Sequence, residues 1–342
     1  MDTKIATIDT KKTITEKMQN QFSRTQLLMG KPAINTLMGS RVAVFGVGGV
    51  GGYVVEALVR SGLGEIDLID DDRVCLTNVN RQVIATLSSV GKHKVDVCEE
   101  RIRDINRRCI VHKYQMFYLP EFADAIDISK FDYVVDCIDT VSAKIELAKR
   151  CHKLGVPIIS CMGAANKIDA TAFKVSDISK TKMDPLAKVM RKKMKELGIR
   201  HLKVVYSEEQ PLQPFDDASI SCRFHCICPN KDMRKCTDRR NIPASNAFVP
   251  AAAGLIVGGE VVKDLINIAG TMRIAPDAVG DSEAAAAALA KAEAHKRKVS
   301  EARLRAKEAK ASKEAKATED VKEATATKGA KEVEDGERYI AQ

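Results

Sequence analysis

The chain has 342 residues, ten cysteines, 30% charged residues and a formal net charge of +9. Its opening "MDTKIATIDTKKTITEK" has no apolar core, so a secretory signal peptide is not expected. The longest apolar run, "AFVPAAAGLIVGG" at 247–259, is too short and too rich in Gly and Pro to span a membrane, and nothing gives the cysteines an extracellular context, so a reduced cytoplasm is the expected setting.

Residues 1–20 read as a flexible N-terminus leading into N-terminal helices from "QFSRTQLLMG" (21–30) onward. "RVAVFG" (41–46) reads as a buried parallel strand, followed at once by a helix over 49–62. "EIDLID" (65–70) is a second strand, and 91–109 an amphipathic helix with Val95, Val97, Ile102 and Ile105 inward. Strands at 109–115, 131–139 and 156–162 follow, with a helix at about 141–154 between the last two. Strands alternating with helices predict a Rossmann-like, doubly wound α/β sheet, mostly parallel, whose ligands sit at the carboxyl ends of the strands. After residue 163 the pattern changes. "KIDATAFKVSDIS" and "LKVVYS" read as added strands, antiparallel in expectation. Residues 184–198 read as a basic helix with Asp184 as N-cap and Pro185 at its first position, and 247–270 as a buried C-terminal helix.

One domain is thus expected over 21–270, with a cysteine-containing loop at 207–245, and a charged tail over 271–342. Residues 281–342 hold 14 basic and 13 acidic residues and a single aromatic, Tyr339. Such a segment cannot bury enough apolar surface to offset its ordering entropy, so it reads as exposed and partly helical. The positive excess therefore lies in residues 1–280, with 41 basic against 33 acidic residues. It suits a polyanionic partner, or simply solubility.

"VFGVGGVGG" (44–52) is an apolar strand running into a glycine turn, with Gly46, Gly48 and Gly51 in the pattern G-x-G-x-x-G and Gly49 between them. Such a turn lets backbone approach phosphate at a helix N-terminus. Asp70 ends the second strand, 19 residues past Gly51, where a carboxylate can accept from ribose hydroxyls. A dinucleotide redox cofactor and ATP fit these features equally well. "DDDRVCLTNVNRQ" (70–82) then supplies Asp72, Thr77, Asn78, Arg81 and Gln82, and Lys94 opens the next helix. Cations beside the phosphates favour a ligand that is cleaved, because charge grows on a leaving pyrophosphate. Asp139, at the end of "VVDCID", is placed to hold Mg²⁺ at the same crevice.

Together Gly46–Gly51, Asp70, "TNVNRQ", Lys94 and "DCIDT" resemble the ubiquitin-activating-enzyme-like (ThiF-type) superfamily over about residues 21–165. The resemblance implies ATP-dependent adenylation of a carboxylate in a homodimer, with Arg24 of "QFSRTQLLMG" reaching the ATP of the other subunit. Within that superfamily "QFSRTQLLMG", "VGKHKVDV", the run from Ile159 to Ile199 and "SNAFVPAAAGLIVGGEVVKDL" are similar to the tRNA threonylcarbamoyladenosine dehydratases, to about residue 268. That family closes a ring on the modified adenosine next to the anticodon, through adenylation of the threonyl carboxylate, with tRNA as substrate. The implied catalytic set is Arg24, Arg81, Lys94 and Asp139. Lys188, Arg191, Lys192, Lys193 and Lys195 of the basic helix would face the tRNA backbone, or else form a solvated face.

Two other readings stay open. An adenylyltransferase for a ubiquitin-like sulfur-carrier protein would need a Gly-Gly protein partner and usually a thiol step. A non-enzymatic tRNA- or nucleotide-binding module would make no AMP. Whether a cysteine-desulfurase-type partner takes part is not legible. Cys222, Cys226, Cys228 and Cys236 could form a tetrahedral zinc site, but the stretch contains no Cys-x-x-Cys pair, so free thiols in a loop are the preferred reading. Cys75, Cys98, Cys109, Cys137, Cys151 and Cys161 read as buried or half-buried structural positions, with Cys161 at a strand end the least implausible nucleophile.

Overall fold

The computed structural model describes residues 19–215, 217–219, 243–271 and 301. Two helices, α1 (Ser23–Met29) and α2 (Lys31–Met38), lead into β1 (Arg41–Phe45). Then come α3 (Gly51–Arg60), β2 (Glu65–Ile69), α4 (Lys94–Ile105), β3 (Ile110–Tyr114), β4 (Tyr133–Asp136), α5 (Val141–Leu154) and β5 (Ile158–Cys161). β6 (Phe173–Asp177), α6 (Pro185–Glu196), β7 (Lys203–Ser207) and α7 (Val249–Ile268) complete the described elements.

The seven described strands form one sheet in the order β3-β2-β1-β4-β5-β7-β6. All neighbours are parallel except β6 and β7. The expected doubly wound α/β sheet is therefore present. The added strands are antiparallel to each other, while β7 itself runs parallel to β5. The chain winds outward from β1 through β2 to β3, then returns to β4 on the other side of β1. That reversal opens a crevice between the carboxyl ends of β1 and β4.

β1 shows why the central strands read as unbroken apolar runs. Val42 and Val44 pack into the core beneath α3, α4 and α7, and Ala43 and Phe45 into the core beneath α5; all four are fully buried. α6 covers β7 through Ala187, Met190 and Met194, with Asp184 accepting a hydrogen bond from the Ala187 N–H at 2.9 Å as its N-cap. α7 crosses α3 so closely that a Cβ on Gly254 would lie 2.4 Å from the Val50 carbonyl oxygen. At the far end of the sheet the Tyr133 hydroxyl donates to Asp264 at 2.6 Å, and Lys203 pairs with Asp264 and Glu260, each at 2.8 Å.

Two of the elements that are shorter than their sequence patterns have a local cause. The strand expected over 131–139 stops at Asp136, because that side chain accepts the Ile138 N–H at 3.2 Å and turns the chain outward. The helix expected over 91–109 begins at Lys94, because Gly91 and Lys92 pair back onto Val74 through two 2.9 Å backbone bonds. The N-terminal residues before 19, most of the cysteine-containing loop and the tail, apart from Thr271 and Glu301, lie outside the described residues.

Because the missing side chain at 254 is what lets α7 seat on α3, Gly254→Ala should overpack that crossing. The cost should be about 1–3 kcal/mol, which thermal unfolding would register as a midpoint several degrees lower; an unchanged midpoint would contradict the close-packing account.

Candidate active site

The glycine turn occupies the crevice between β1 and β4. Gly46 sits at φ +88°, and a Cβ there would lie 2.7 Å from the Cys137 carbonyl oxygen. A Cβ on Gly51 would lie 1.7 Å from the Gly46 carbonyl oxygen, so only glycine allows the turn to fold this tightly back. Among the described residues, the N–H groups of Gly48, Gly49 and Val50 make no hydrogen bond within the chain. They precede the first turn of α3, and its dipole adds positive potential at the same place. A cradle of this kind fits phosphate.

Asp70 clamps the turn from the side. Its Oδ2 accepts the Val47 N–H at 2.7 Å, and its Oδ1 accepts the Asp72 N–H at 2.9 Å. Burial pushes its carboxyl above the usual range, against the opposing pull of Lys94 and the two amides. Lys94, only 4% exposed, places Nζ 2.6 Å from Asp72 Oδ2 and 3.7 Å from Asp70 Oδ1. Burial alone would lower its pKa, but the carboxylates of Asp70 and Asp72 outweigh that and raise it, so Lys94 is a cation at neutral pH. The reason Lys94 arrives here is the pairing of Arg73 with His93, which folds residues 72–94 into a closed excursion.

That excursion carries the "TNVNRQ" residues. Asn78 and Thr77 serve their own turn. Asn78 Oδ1 accepts the Cys75 N–H at 3.0 Å, and the Thr77 hydroxyl lies 3.5 Å from Cys75 Sγ. Arg81 leans over the glycine turn, its Cγ 3.6 Å from where a Cβ on Gly49 would stand. Its Nη1 donates to the Thr77 carbonyl at 2.8 Å and to Asn80 Oδ1 at 2.9 Å. Gln82 is buried beside Gly48, and its Oε1 has no hydrogen-bond partner, a polar atom that awaits a donor.

Asp139 is exposed, three residues past the end of β4 and adjoining the Thr140 hydroxyl at 3.3 Å. Beneath it lies a buried ion pair that sequence reasoning missed. Lys144 Nζ is 3.1 Å from Asp136 Oδ2 and donates to the Cys161 carbonyl at 2.8 Å, while the Ser160 hydroxyl donates to Asp136 at 2.5 Å. All three side chains are fully buried. An aspartate inside the otherwise apolar run "YVVD" was the available signal, since a buried charge demands a partner.

Arg24 is not brought to this site. Two residues before it, Phe22 packs on Gly62, just beyond the C-terminal end of α3, whereas the glycine turn lies at that helix's N-terminal end. Ten helical residues separate the two by about 15 Å. Arg24 is exposed on α1, next to Leu27 (79% exposed) and Leu28 (71%).

Among the described residues two groups of carboxylate and imidazole atoms lie close enough to share a metal ion. Asp70, Asp71 and Asp72 belong to the site just described. Glu65, Asp67 and His112 surround Arg41, which already pairs with Glu65 at 2.9 Å and Asp67 at 2.8 Å. Cys222, Cys226, Cys228 and Cys236 fall outside the described residues. Of the other six cysteines, five are buried and Cys137 is half-buried, as expected. Burial pushes the Cys161 thiol up to about 12 and the Cys137 thiol well above its ordinary value, so neither supplies a thiolate. No described helix is long and apolar enough to cross a membrane.

The ThiF family matches residues 22–315 of the chain. The tRNA threonylcarbamoyladenosine dehydratase of Bacillus subtilis is 48% identical over 251 residues, which cover 73% of this chain and 96% of that one. The protein of the same name from Escherichia coli is 35% identical over 60% of this chain and 80% of its own. A crystal structure of the E. coli tRNA N6-threonylcarbamoyladenosine dehydratase in complex with ATP matches with a TM-score of 0.61 at 30% identity, covering 73% of this chain and 95% of that one. The chain is thus matched in sequence and in fold by the same group of proteins. The chain belongs to the ThiF family, among its tRNA threonylcarbamoyladenosine dehydratases.

Proposed function

We propose that this protein is an ATP-dependent enzyme that dehydrates N6-threonylcarbamoyladenosine in tRNA, closing a ring next to the anticodon. The observation that carries the reading is the pairing of a phosphate cradle with two cations: the Gly46–Gly51 turn has Lys94 at its aspartate clamp and Arg81 above it. A nucleotide bound only for its shape needs no such cations; a triphosphate that is cleaved does.

In the proposed reaction the threonyl carboxylate attacks the α-phosphorus of ATP. The bond from that phosphorus to the β-phosphate bridging oxygen breaks, and pyrophosphate leaves. A nucleophile of the same carbamoyl group then attacks the activated carbonyl, closes the ring and expels AMP. The carboxylate oxygen departs with AMP, which amounts to loss of water. Asp70 holds the ribose, the free N–H groups of the glycine turn hold phosphate, and Arg81 and Lys94 offset the growing charge. Asp72 holds Lys94 until ATP is bound. Asp139, an exposed carboxylate at the mouth of the crevice, would hold Mg²⁺, which neutralises phosphate charge when bound. Cyclisation by an internal nucleophile requires no thiolate, in keeping with the protonated thiols of Cys137 and Cys161; a sulfur-carrier adenylyltransferase, the competing reading, usually adds a thiol step.

The tRNA backbone fits the outer face of α6, where Lys188, Lys192, Lys193 and Lys195 are exposed. Arg191 is not part of that face: its Nη1 donates to the Thr181 carbonyl and hydroxyl at 2.8 and 2.6 Å. We further propose a homodimer. Arg24 stands too far from its own glycine turn to serve it, and the exposed Leu27 and Leu28 beside it offer apolar surface for a second copy. In this reading residues 21–270 carry the chemistry in the cytoplasm.

Lys94→Ala should lower AMP release with threonylcarbamoylated tRNA by roughly 10²–10³-fold while changing Mg·ATP affinity much less. Steady-state rates alongside calorimetry measure both; unchanged turnover would remove Lys94 from the reaction. Asp139→Ala should keep the fold and abolish AMP release, so a folded variant with wild-type rates would end the Mg²⁺ assignment. Mixing Arg24→Ala with Lys94→Ala subunits should restore about a quarter of wild-type activity, because half of randomly exchanged dimers are mixed and each then has one intact composite site. No recovery after verified subunit exchange would place Arg24 outside the site.

A further inference from the structure

We infer that Asn80 is a positioning residue for Arg81, and that Asn166 fixes the chain segment on which Asn80 is braced. The inference rests on the adenylation reading above, since Arg81 matters through the triphosphate.

Asn166 is one of two non-glycine residues at positive φ among the described residues, at +60°. Asparagine enters this region at the least cost after glycine, and such strain persists only where surroundings over-determine it. Here they do. The Asn166 N–H donates to the Ala244 carbonyl at 2.8 Å, and its Oδ1 accepts the Ala244 N–H at 2.7 Å. Its own carbonyl accepts the Leu212 N–H at 2.7 Å. One residue therefore holds two stretches of chain, at 212 and 244, that are far apart in sequence. Neighbouring bonds reinforce the joint. Glu209 accepts the N–H groups of Ile168 and Asp169 at 2.8 and 3.0 Å, and Asn246 donates to the Lys167 carbonyl at 2.8 Å.

The stretch so fixed passes over the glycine turn, where Pro250 lies 3.4 Å from the Cβ position at Gly49. Asn80 spans the gap. Its Nδ2 donates to the Ser245 carbonyl at 3.1 Å, which turns its Oδ1 toward Arg81 Nη1 at 2.9 Å. An amide is suited to this because it donates at one end and accepts at the other, so bracing one end orients the other. The Arg81 guanidinium is then held by two acceptors, Asn80 Oδ1 and the Thr77 carbonyl, before any phosphate arrives. Preorganisation of this kind removes the reorganisation a free side chain would undergo in the transition state.

The test is a double-mutant cycle on the full chain with Asn80→Ala, Arg81→Ala and both, read in AMP release with threonylcarbamoylated tRNA and in Mg·ATP affinity. Asn80→Ala alone should slow turnover about tenfold, the order expected for one hydrogen bond to a charged group, with an unchanged KM for tRNA. In the Arg81→Ala background it should change neither rate nor affinity by more than about twofold. Asn166→Gly, which keeps the positive φ but removes Oδ1, should shift turnover in the same direction and be equally silent without Arg81. Equal losses in both backgrounds would reduce Asn80 to a structural residue and overturn the inference, as would an Asn80→Ala enzyme with wild-type turnover. A wild type that binds Mg·ATP yet releases no AMP would overturn the dehydratase reading alone, and the cycle would then be decided by ATP affinity; a wild type that binds no ATP would overturn both.

Discussion

The site depends on the carboxylate of Asp70. It accepts the Val47 N–H of the glycine turn and the Asp72 N–H of its own loop, and it lies 3.7 Å from the Lys94 ammonium. One side chain thereby fixes the distance between the end of β1, the end of β2 and the start of α4. Burying a carboxylate is costly unless its oxygens are bonded and its charge is met. Asp70 meets both conditions inside the protein, and Lys94 in turn is met by Asp72 at 2.6 Å. The cluster is therefore a preassembled set of charges, two carboxylates around one ammonium, rather than a set that forms around a ligand.

A second charged group supports the opposite wall of the crevice. Asp136, Lys144 and Ser160 are fully buried, and their hydrogen bonds join β4, α5 and β5 directly below the turn that presents Asp139. Removing one partner from such a pair leaves an uncompensated buried charge, at a cost of about 3–5 kcal/mol. The strand end from which the chain turns toward Asp139 is thereby tied to both α5 and β5. Lys167 and Asp184 repeat the arrangement at 3.2 Å near the start of α6, with Asp184 also capping that helix. The basic helix is thus anchored to the segment that carries Asn166, and the face proposed for tRNA is joined to the nucleotide site through the protein interior rather than through a flexible link.

Packing brings these walls together. α7 begins at Val249, whose N–H donates to Asn246, and seats on α3 with no room for a side chain at 254, so the helix that follows the glycine turn is backed by α7. The glycine turn is consequently held on three sides: by Asp70, by the carbonyl of Cys137 and by the residues at the start of α7.

Local pattern alone was enough for much of this. Continuous apolar runs marked the parallel strands, the spacing of Gly46, Gly48 and Gly51 marked the turn, and Asp184-Pro185 marked the start of α6, because each of these is decided by a few neighbouring residues. Asp70, Arg81, Gln82 and Lys94, the residues proposed to hold the nucleotide, were picked out from the single connection that runs from the end of β2 to the start of α4. What only the tertiary structure decided is how distant segments complete one another. The length of the strand before Asp139 depends on a side chain of β4 capping its own exit, and the start of α4 depends on Lys92 pairing with Val74. The partners of Asp136 come from α5 and β5, and those of Asn166 from residues 212 and 244. Arg191 reads as one more surface cation in the sequence and turns inward to Thr181 in the fold. The longest of these contacts, Asp136 with Ser160 and Asn166 with residues 212 and 244, have no local signature, because partners separated by dozens of residues are chosen by the sheet order and by helix packing, which no window of sequence contains.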